Sequence, residues 1–164
     1  ISFNFSKITL LEDEIFKKVE EISNKYNISR DLLEIEITET IGDIENDKIT
    51  HIANEFHKRG FRLSMDDFGT QYSNLSVLLQ YDFDSAKIDR SMVTEITTNE
   101  RSRMMLDYMT SLINDLGIEC IVEGIETKEQ VDILRKTKAE MIQGYYFGRP
   151  MPAAEFEKLL QQNC

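Results

Sequence analysis

The stretch Met65-Asp66-Asp67-Phe68-Gly69-Thr70 places two adjacent carboxylates at the end of an apolar, strand-like run that breaks into a glycine turn. Neighbouring carboxylates are costly in a hydrophobic core and well suited to holding divalent metal ions. Other short apolar runs also end in a polar residue: Asn4, Glu36, Lys87 and Glu123, with Gln143 as a weaker fifth. This recurrence predicts a shared site to which several strands contribute.

The size and charge of the chain exclude several classes of function. Its 164 residues, 41% of them hydrophobic, suit a single globular domain that buries about two thirds of its unfolded surface. The net charge of -11 argues against a protein that binds along a nucleic-acid polymer, because such binding needs Lys and Arg to neutralise the phosphates. A small anionic ligand stays compatible with this charge if cations intervene.

The sequence contains no pattern typical of a membrane span or a secretory signal peptide. Cys120 lies in an apolar run and Cys164 is the last residue, so we expect no disulfide framework and a reducing, cytoplasmic location. The chain begins Ile1-Ser2-Phe3, already in apolar and polar alternation. We therefore expect it to be a piece of a longer protein.

Six short, apolar and partly β-branched runs predict strands. They are Ser2–Ser6, Leu32–Thr38, Arg62–Phe68, Ser85–Arg90, Glu119–Ile125 and Glu140–Phe147. Between them, apolar residues at helical spacing predict amphipathic helices. The predicted buried stripes are Ile15, Val19, Ile22 and Tyr26; Ile49, Ile52 and Phe56; Met105, Met109, Leu112 and Leu116; and Phe156, Leu159 and Leu160.

Local signals predict where these helices begin and end. Gly60 and Gly117 stand where helix C-terminal caps are expected, and Thr127 with Gln130 forms a capping-box signature. The aromatic run Tyr145, Tyr146 and Phe147 favours packing in the core over stacking on a base. For Gln143, a buried structural amide and a site residue are equally good interpretations.

Repeated strand-then-helix units predict a parallel sheet, either an open doubly wound sheet or a barrel. Nearly every strand has a polar residue near its carboxyl end, which favours an α/β fold of the (β/α) TIM-barrel type, incomplete, with about six of eight units present. Strand parity agrees, because Leu33, Ile35 and Ile37 alternate with polar neighbours. The aliphatic face can therefore meet helices while the polar face looks inward.

An inward acidic rim requires cations. At an effective dielectric near 20, two unit charges ~4 Å apart repel by about 4 kcal/mol, so clustered carboxylates need compensation. Oxygen ligands suit Mg²⁺ or Mn²⁺, and His51 and His57, the two histidines, both fall on one predicted helix, away from a zinc-like site. Adjacent aspartates can bridge two metals, the arrangement used in phosphoester hydrolysis, and Lys87 can stabilise the phosphorane charge.

Six runs together resemble the successive signatures of EAL-type cyclic di-GMP phosphodiesterases. They are Asn4-Phe5-Ser6, the run from Leu33 to Thr40, the run from Asp66 to Thr70, Lys87-Ile88-Asp89-Arg90, the run from Val122 to Thr127, and the run from Gln143 to Phe147. The resemblance covers essentially the whole chain. It implies a modified TIM barrel that hydrolyses cyclic di-GMP to the linear dinucleotide pGpG with two divalent cations, Mg²⁺ or Mn²⁺, in bacterial second-messenger signalling.

The resemblance also implies roles for individual residues. The first metal would be bound by Asn4, Glu36 and Asp66, and the second by Asp66, Asp67 and Glu123. The expected catalytic residues are Lys87, Glu123 and Asp67. The reacting water or substrate phosphate would be contacted by Lys87 and Gln143. The loop after Asp67 would be supported by Glu39, Asp89 and Glu126.

Two departures from the family pattern keep an alternative open. The Glu-Ala-Leu triplet that names the family is absent from these residues, and Gln71 and Asn74 stand where Gly and Ser are usual. The alternative is an inactive domain that acts as a cyclic di-GMP receptor or protein-interaction module. We expect residues 1–164 to be the C-terminal portion of one EAL-type domain, fused to sensory or GGDEF-type domains. Its open strand edges would favour a homo-oligomer.

Overall fold

Parallel strands in chain order organise the protein. The structure, a computed structural model, describes residues 1–12, 14–38, 46–70 and 75–163. The strands in this part of the chain are β1 (Ser2–Phe5), β2 (Glu34–Thr38), β3 (Arg62–Phe68), β4 (Ser85–Ile88), β5 (Glu119–Val122) and β6 (Met141–Ile142). They form one six-stranded sheet in the order β1-β2-β3-β4-β5-β6, and each is parallel to its neighbour.

Helices connect successive strands, and one more helix follows β6. They are α1 (Lys7–Leu10), α2 (Ile15–Lys25), α3 (Asn46–Lys58), α4 (Leu75–Gln80), α5 (Glu100–Asp115), α6 (Lys128–Leu134) and α7 (Ala153–Asn163). An open doubly wound sheet reverses its strand order at a switch point, whereas here each strand pairs with the next in sequence. The predicted (β/α) barrel-type fold is therefore confirmed, with six strand units described.

The two faces of the sheet divide as strand parity predicts. On β2, Ile35 and Ile37 are buried in the aliphatic core that the helices cover. The opposite face carries polar side chains in layers. In the layer nearer the strand starts, Ser85 Oγ donates to Glu34 Oε1 at 2.8 Å and lies 2.7 Å from Ser64 Oγ, while Arg62 pairs with Glu119. The polar face is therefore internally hydrogen-bonded.

The predicted helix boundaries are confirmed. Gly60 and Gly117 follow α3 and α5 with φ of 82° and 75°, in the left-handed region that glycine adopts without strain. Thr127 and Gln130 form the complete capping box at the start of α6. These local signals fix where each connection turns back toward the sheet.

The predicted buried stripe of α5 is wrong by one position. Met105, Leu112 and Leu116 are exposed, and Met109 is partly buried. The buried residues of this helix are Leu106, Thr110 and Ile113. Thr110 has a small side chain whose hydroxyl donates to the Asp107 carbonyl at 3.0 Å, so it allows the helix to approach the sheet closely at no cost in unpaired polar groups.

Other apolar residues predicted to be buried are also exposed. On α2, Ile15 and Val19 are buried as predicted, but Ile22 and the C-cap residue Tyr26 are exposed. Near the carboxyl end, the exposed residues are Tyr145, Tyr146, Phe147, Phe156, Leu159 and Leu160. The predicted strand over 140–147 is also too long, because the chain turns at Gly144, where a Cβ would lie 2.2 Å from the backbone of Ile125.

Within the described residues, no helix is both long enough and apolar enough to cross a membrane. Cys120 is a buried free thiol, and burial, with a smaller contribution from the Glu140 carboxylate, raises its pKa to about 12. Cys164 lies outside the described residues.

The observed buried face of α5 can be tested by replacing single side chains with alanine. We expect Leu106→Ala to lower the free energy of unfolding by about 2 to 5 kcal/mol, because a fully buried side chain leaves a cavity. Met105→Ala, on the same helix and 55% exposed, should cost less than about 0.5 kcal/mol. Urea unfolding followed by circular dichroism measures both. Equal losses would contradict the observed orientation of the helix.

Candidate functional site

Three carboxylates converge on one ammonium group at the carboxyl ends of the strands. Lys87 Nζ lies 2.9 Å from Glu36 Oε1, 3.3 Å from Asp66 Oδ1 and 2.5 Å from Glu123 Oε1. These side chains come from β2, β3, β4 and the residue after β5. Lys87, Glu36 and Asp66 are buried, and the Glu123 side chain is 21% exposed. We call these four residues the Lys87 cluster.

The Lys87 cluster carries more negative than positive charge. Burial opposes the Lys87 charge, but the hydrogen bonds to Glu123 and Glu36 outweigh it and raise the lysine pKa. Burial, and to a smaller extent the nearby carboxylates of Asp66 and Glu36, raise the pKa of Glu123. The contact with Lys87 lowers this pKa but does not fully compensate. One ammonium therefore leaves part of the carboxylate charge uncompensated, and a divalent cation would lower this electrostatic cost.

A β-bulge explains how two adjacent aspartates reach this site. Met65 pairs with Ala86 and Phe68 with Ile88, so Asp66 and Asp67 together stand opposite the single residue Lys87. Asp67 has a φ of 58°, in the left-handed region that costs a non-glycine residue about 1 to 2 kcal/mol. The extra residue returns Phe68 to the buried core face. Without the bulge, Asp67 would take that apolar position.

The remaining residues of the predicted metal and substrate sites lie around the Lys87 cluster. Asn4 is exposed on β1 and is in register with Glu36 of the neighbouring strand. Gln143 Nε2 donates to Glu123 Oε1 at 2.6 Å. Gln143 is exposed, so of its two interpretations the buried structural amide is ruled out.

The predicted loop-supporting residues have different surroundings. Asp89 Oδ1 accepts a hydrogen bond from the Ser91 amide at 2.9 Å at the start of a 3₁₀ turn, Arg90–Met92. Although burial acts in the opposite direction, the hydrogen bonds from Ser91 hold the pKa of Asp89 below its ordinary value. Glu126 is exposed near the start of α6. Glu39 and residues 71–74, which include Gln71 and Asn74, lie outside the described residues.

The donor set fits a hard divalent cation. The predicted ligands supply only carboxylate and amide oxygens, which Mg²⁺ and Mn²⁺ prefer. Of the histidines, His57 instead pairs with Asp84 at 3.0 Å, just before the start of β4. Among the residues that the structure describes, no three Asp, Glu, His or Cys side chains already enclose a metal position. The ammonium of Lys87 lies at the centre of the carboxylates instead.

A cavity of about 620 Å³ opens beside the Lys87 cluster. Glu123, Gln143, Asp89 and Glu126 line it, together with aromatic and apolar residues that follow β6. Sequence reasoning did not select Arg90 and Arg149, which bring positive charge to this acidic cavity. Arg90 directly follows the Lys87-Ile88-Asp89 run, so that motif was a signal for it. Arg149 lies after the Gln143–Phe147 run, in the segment Gly148-Arg149-Pro150, outside every motif that the sequence offered.

Comparison with known proteins identifies the family. The family model described as EAL domain matches residues 1–150. The chain belongs to the EAL domain family. Among curated proteins, this EAL domain is 33% identical over 154 residues to the probable cyclic di-GMP phosphodiesterase PdeA of Escherichia coli, which covers 94% of the chain and 21% of PdeA. The chain spans about a fifth of the length of the curated relatives it matches.

Solved structures support the same assignment. The EAL domain of Mycobacterium smegmatis DcpA superposes with a TM-score of 0.93 at 28% identity, and the match covers 98% of this chain and 72% of that EAL-domain chain. Klebsiella pneumoniae BlrP1, in a manganese and cyclic di-GMP complex, superposes with a TM-score of 0.84 at 26% identity. That match covers 91% of this chain and 38% of BlrP1. The fold of this EAL domain is therefore the TIM-barrel fold of its structural relatives.

The charge balance of the Lys87 cluster predicts the effect of removing the Lys87 ammonium group. Lys87→Met should lower the free energy of unfolding by about 3 to 5 kcal/mol at pH 7, because three carboxylates would lose their buried partner. Millimolar Mn²⁺ should restore part of this loss. Urea unfolding with and without Mn²⁺ measures both effects.

The matched control is Lys128→Met, which removes an exposed ion pair with Asp132 on α6. It should cost less than about 1 kcal/mol and show no recovery with Mn²⁺. If the two variants behaved alike, the carboxylates would not depend on a central cation.

Proposed function

We propose that this EAL domain hydrolyses cyclic di-GMP to linear pGpG with two divalent cations, Mg²⁺ or Mn²⁺. The observation that carries the proposal is the Lys87 cluster, where buried carboxylates exceed the positive charge available to them. The Klebsiella relative with manganese and cyclic di-GMP supports the choice of cation and ligand. We further propose that residues 1–164 are the C-terminal portion of one EAL-type domain. The absence of the Glu-Ala-Leu triplet from these residues supports this proposal, as does the coverage of 72% of the Mycobacterium smegmatis EAL-domain structure.

The proposed ligand sets follow the strand ends. The first cation would be held by Asn4, Glu36 and Asp66, and the second by Asp66, Asp67 and Glu123. When bound, two such cations lower the pKa of a water and neutralise charge on a phosphodiester. The bulge at Asp66 and Asp67 supports this assignment, because it brings two consecutive carboxylates opposite one residue of β4.

The remaining polar groups have roles in binding and orientation. Lys87 keeps its proton because its carboxylate partners raise its pKa, so it can stabilise negative charge on a phosphoryl oxygen. Gln143 holds the Glu123 carboxylate through its amide and fixes the orientation of that side chain. Arg90 and Arg149 in the adjacent cavity offer positive charge to the second phosphate of a cyclic dinucleotide.

The second candidate function is a cyclic di-GMP receptor without hydrolysis. The contact of 2.5 Å between Lys87 and Glu123 favours it, because this ion pair already engages one oxygen of a proposed metal ligand. The substitutions at Gln71 and Asn74 point in the same direction. Homo-oligomer formation, fusion to sensory or GGDEF-type domains and a cytoplasmic location stay predictions.

Turnover of cyclic di-GMP by the full-length protein tests the proposal. With Mn²⁺, the wild-type protein should release pGpG, measured by chromatography. Glu36→Gln and Asp66→Asn should each slow this reaction by at least about 10- to 100-fold, because each removes a carboxylate from the proposed metal site and loss of an outer-shell partner alone costs that much. Glu21→Gln, at an exposed position on α2, is the matched control and should leave the rate unchanged.

Binding should be measured alongside turnover by calorimetry with Ca²⁺. Binding of cyclic di-GMP without any linear product with Mn²⁺ would contradict the enzyme and favour the receptor. Absence of binding would contradict both functions.

A further inference from the structure

The bulged turn that carries the adjacent aspartates needs support from its surroundings. Asp67 has a φ of 58° and Gly69 a φ of 97°, so the backbone is left-handed at two of three consecutive positions. A non-glycine residue persists in this region only when neighbouring structure holds it there. The turn is therefore a place where packing decides the direction of two carboxylates.

Backbone hydrogen bonds supply part of this support. The Asp89 amide donates to the Phe68 carbonyl at 3.0 Å, and the Thr70 amide donates to the Asp67 carbonyl at 3.3 Å. The first bond ties the turn to the end of β4, and the second closes the turn on itself. Side-chain packing at Gly69 adds to these backbone bonds.

Two methionines pack against that far side. A Cβ at Gly69 would lie 2.9 Å from Met92 Cγ and 3.1 Å from Met109 Cε, so the glycine backbone rests directly on both side chains. Met92 belongs to the 3₁₀ turn after β4, and Met109 to α5. Both are partly buried and pack against the hydrophobic core. The turn is thus held between its backbone bonds to β4 and a pair of anchored thioethers.

We propose that Met92 and Met109 are positioning residues that fix the bulged turn and, through it, the directions of the Asp66 and Asp67 carboxylates. The inference rests on the proposed function, since it concerns the placement of proposed metal ligands. Met109 belongs to the α5 stripe that periodicity predicts as core, yet Met105 in that stripe is exposed. Met109 therefore contacts both the core and the turn.

The experiment compares variants of the two methionines with two controls on α5. Met92→Ala and Met109→Ala, singly and together, open space beneath Gly69, whereas Met109→Leu keeps the volume. Met105→Ala removes an exposed side chain one turn away, and Ile113→Ala makes a cavity in the core elsewhere along the same helix. The readouts are the amide chemical shifts of Asp67, Gly69 and Thr70 without metal, and Mn²⁺ affinity by calorimetry.

We expect the double variant to shift these three amide resonances and to weaken Mn²⁺ binding about tenfold, with Met109→Leu within twofold of wild type. Ile113→Ala should lower the melting temperature while leaving Mn²⁺ affinity within twofold. Unchanged shifts and affinity in every alanine variant of the two methionines would overturn the proposal, as would an equal loss of affinity in Ile113→Ala. If the wild-type protein bound no Mn²⁺, the proposed function would fail. The chemical shifts without metal would still show whether the two methionines hold the turn.

Discussion

The ammonium group of Lys87 is the contact on which the site depends. It lies within 3.3 Å of carboxylate oxygens from Glu36, Asp66 and Glu123, three groups that would otherwise repel one another. Parallel strands in sequential order bring all four residues to the same end of the sheet. Because one ammonium cannot balance three carboxylates, the fold creates a position where divalent cations are favourable. The barrel-type topology therefore determines the charge of the site, because it brings these charged side chains together.

The need to keep carboxylates at the site and out of the core accounts for the irregular part of β3. A regular strand would send Asp66 inward and Asp67 into the aliphatic core, where a carboxylate is costly. The bulge inserts one extra residue, which keeps Asp67 out of the core and returns Phe68 to the core face. The sequence does contain the signal, because Leu63 and Met65 share one parity and Phe68 has the other. A change of parity within one strand predicts an inserted residue.

Periodicity and local capping predicted the elements well, and long-range packing explains the rest. Six strands, two glycine caps and the Thr127 capping box follow from short-range rules, which act within a few residues. The orientation of α5 does not, because Thr110 is buried through its small size and its bond to the Asp107 carbonyl. The direct ion pairs of Lys87 with three carboxylates also depend on tertiary placement, as does the entry of Arg149 into the cavity.

The most direct measurement is a crystal structure of the EAL domain grown with Mn²⁺, with anomalous diffraction recorded at the manganese edge. We expect anomalous peaks coordinated by Glu36, Asp66 and Glu123, with Asp67 at one of them and Lys87 Nζ displaced from the centre of the carboxylates. A map in which manganese binds elsewhere, while Lys87 keeps all three carboxylate contacts, would contradict a metal site at the Lys87 cluster.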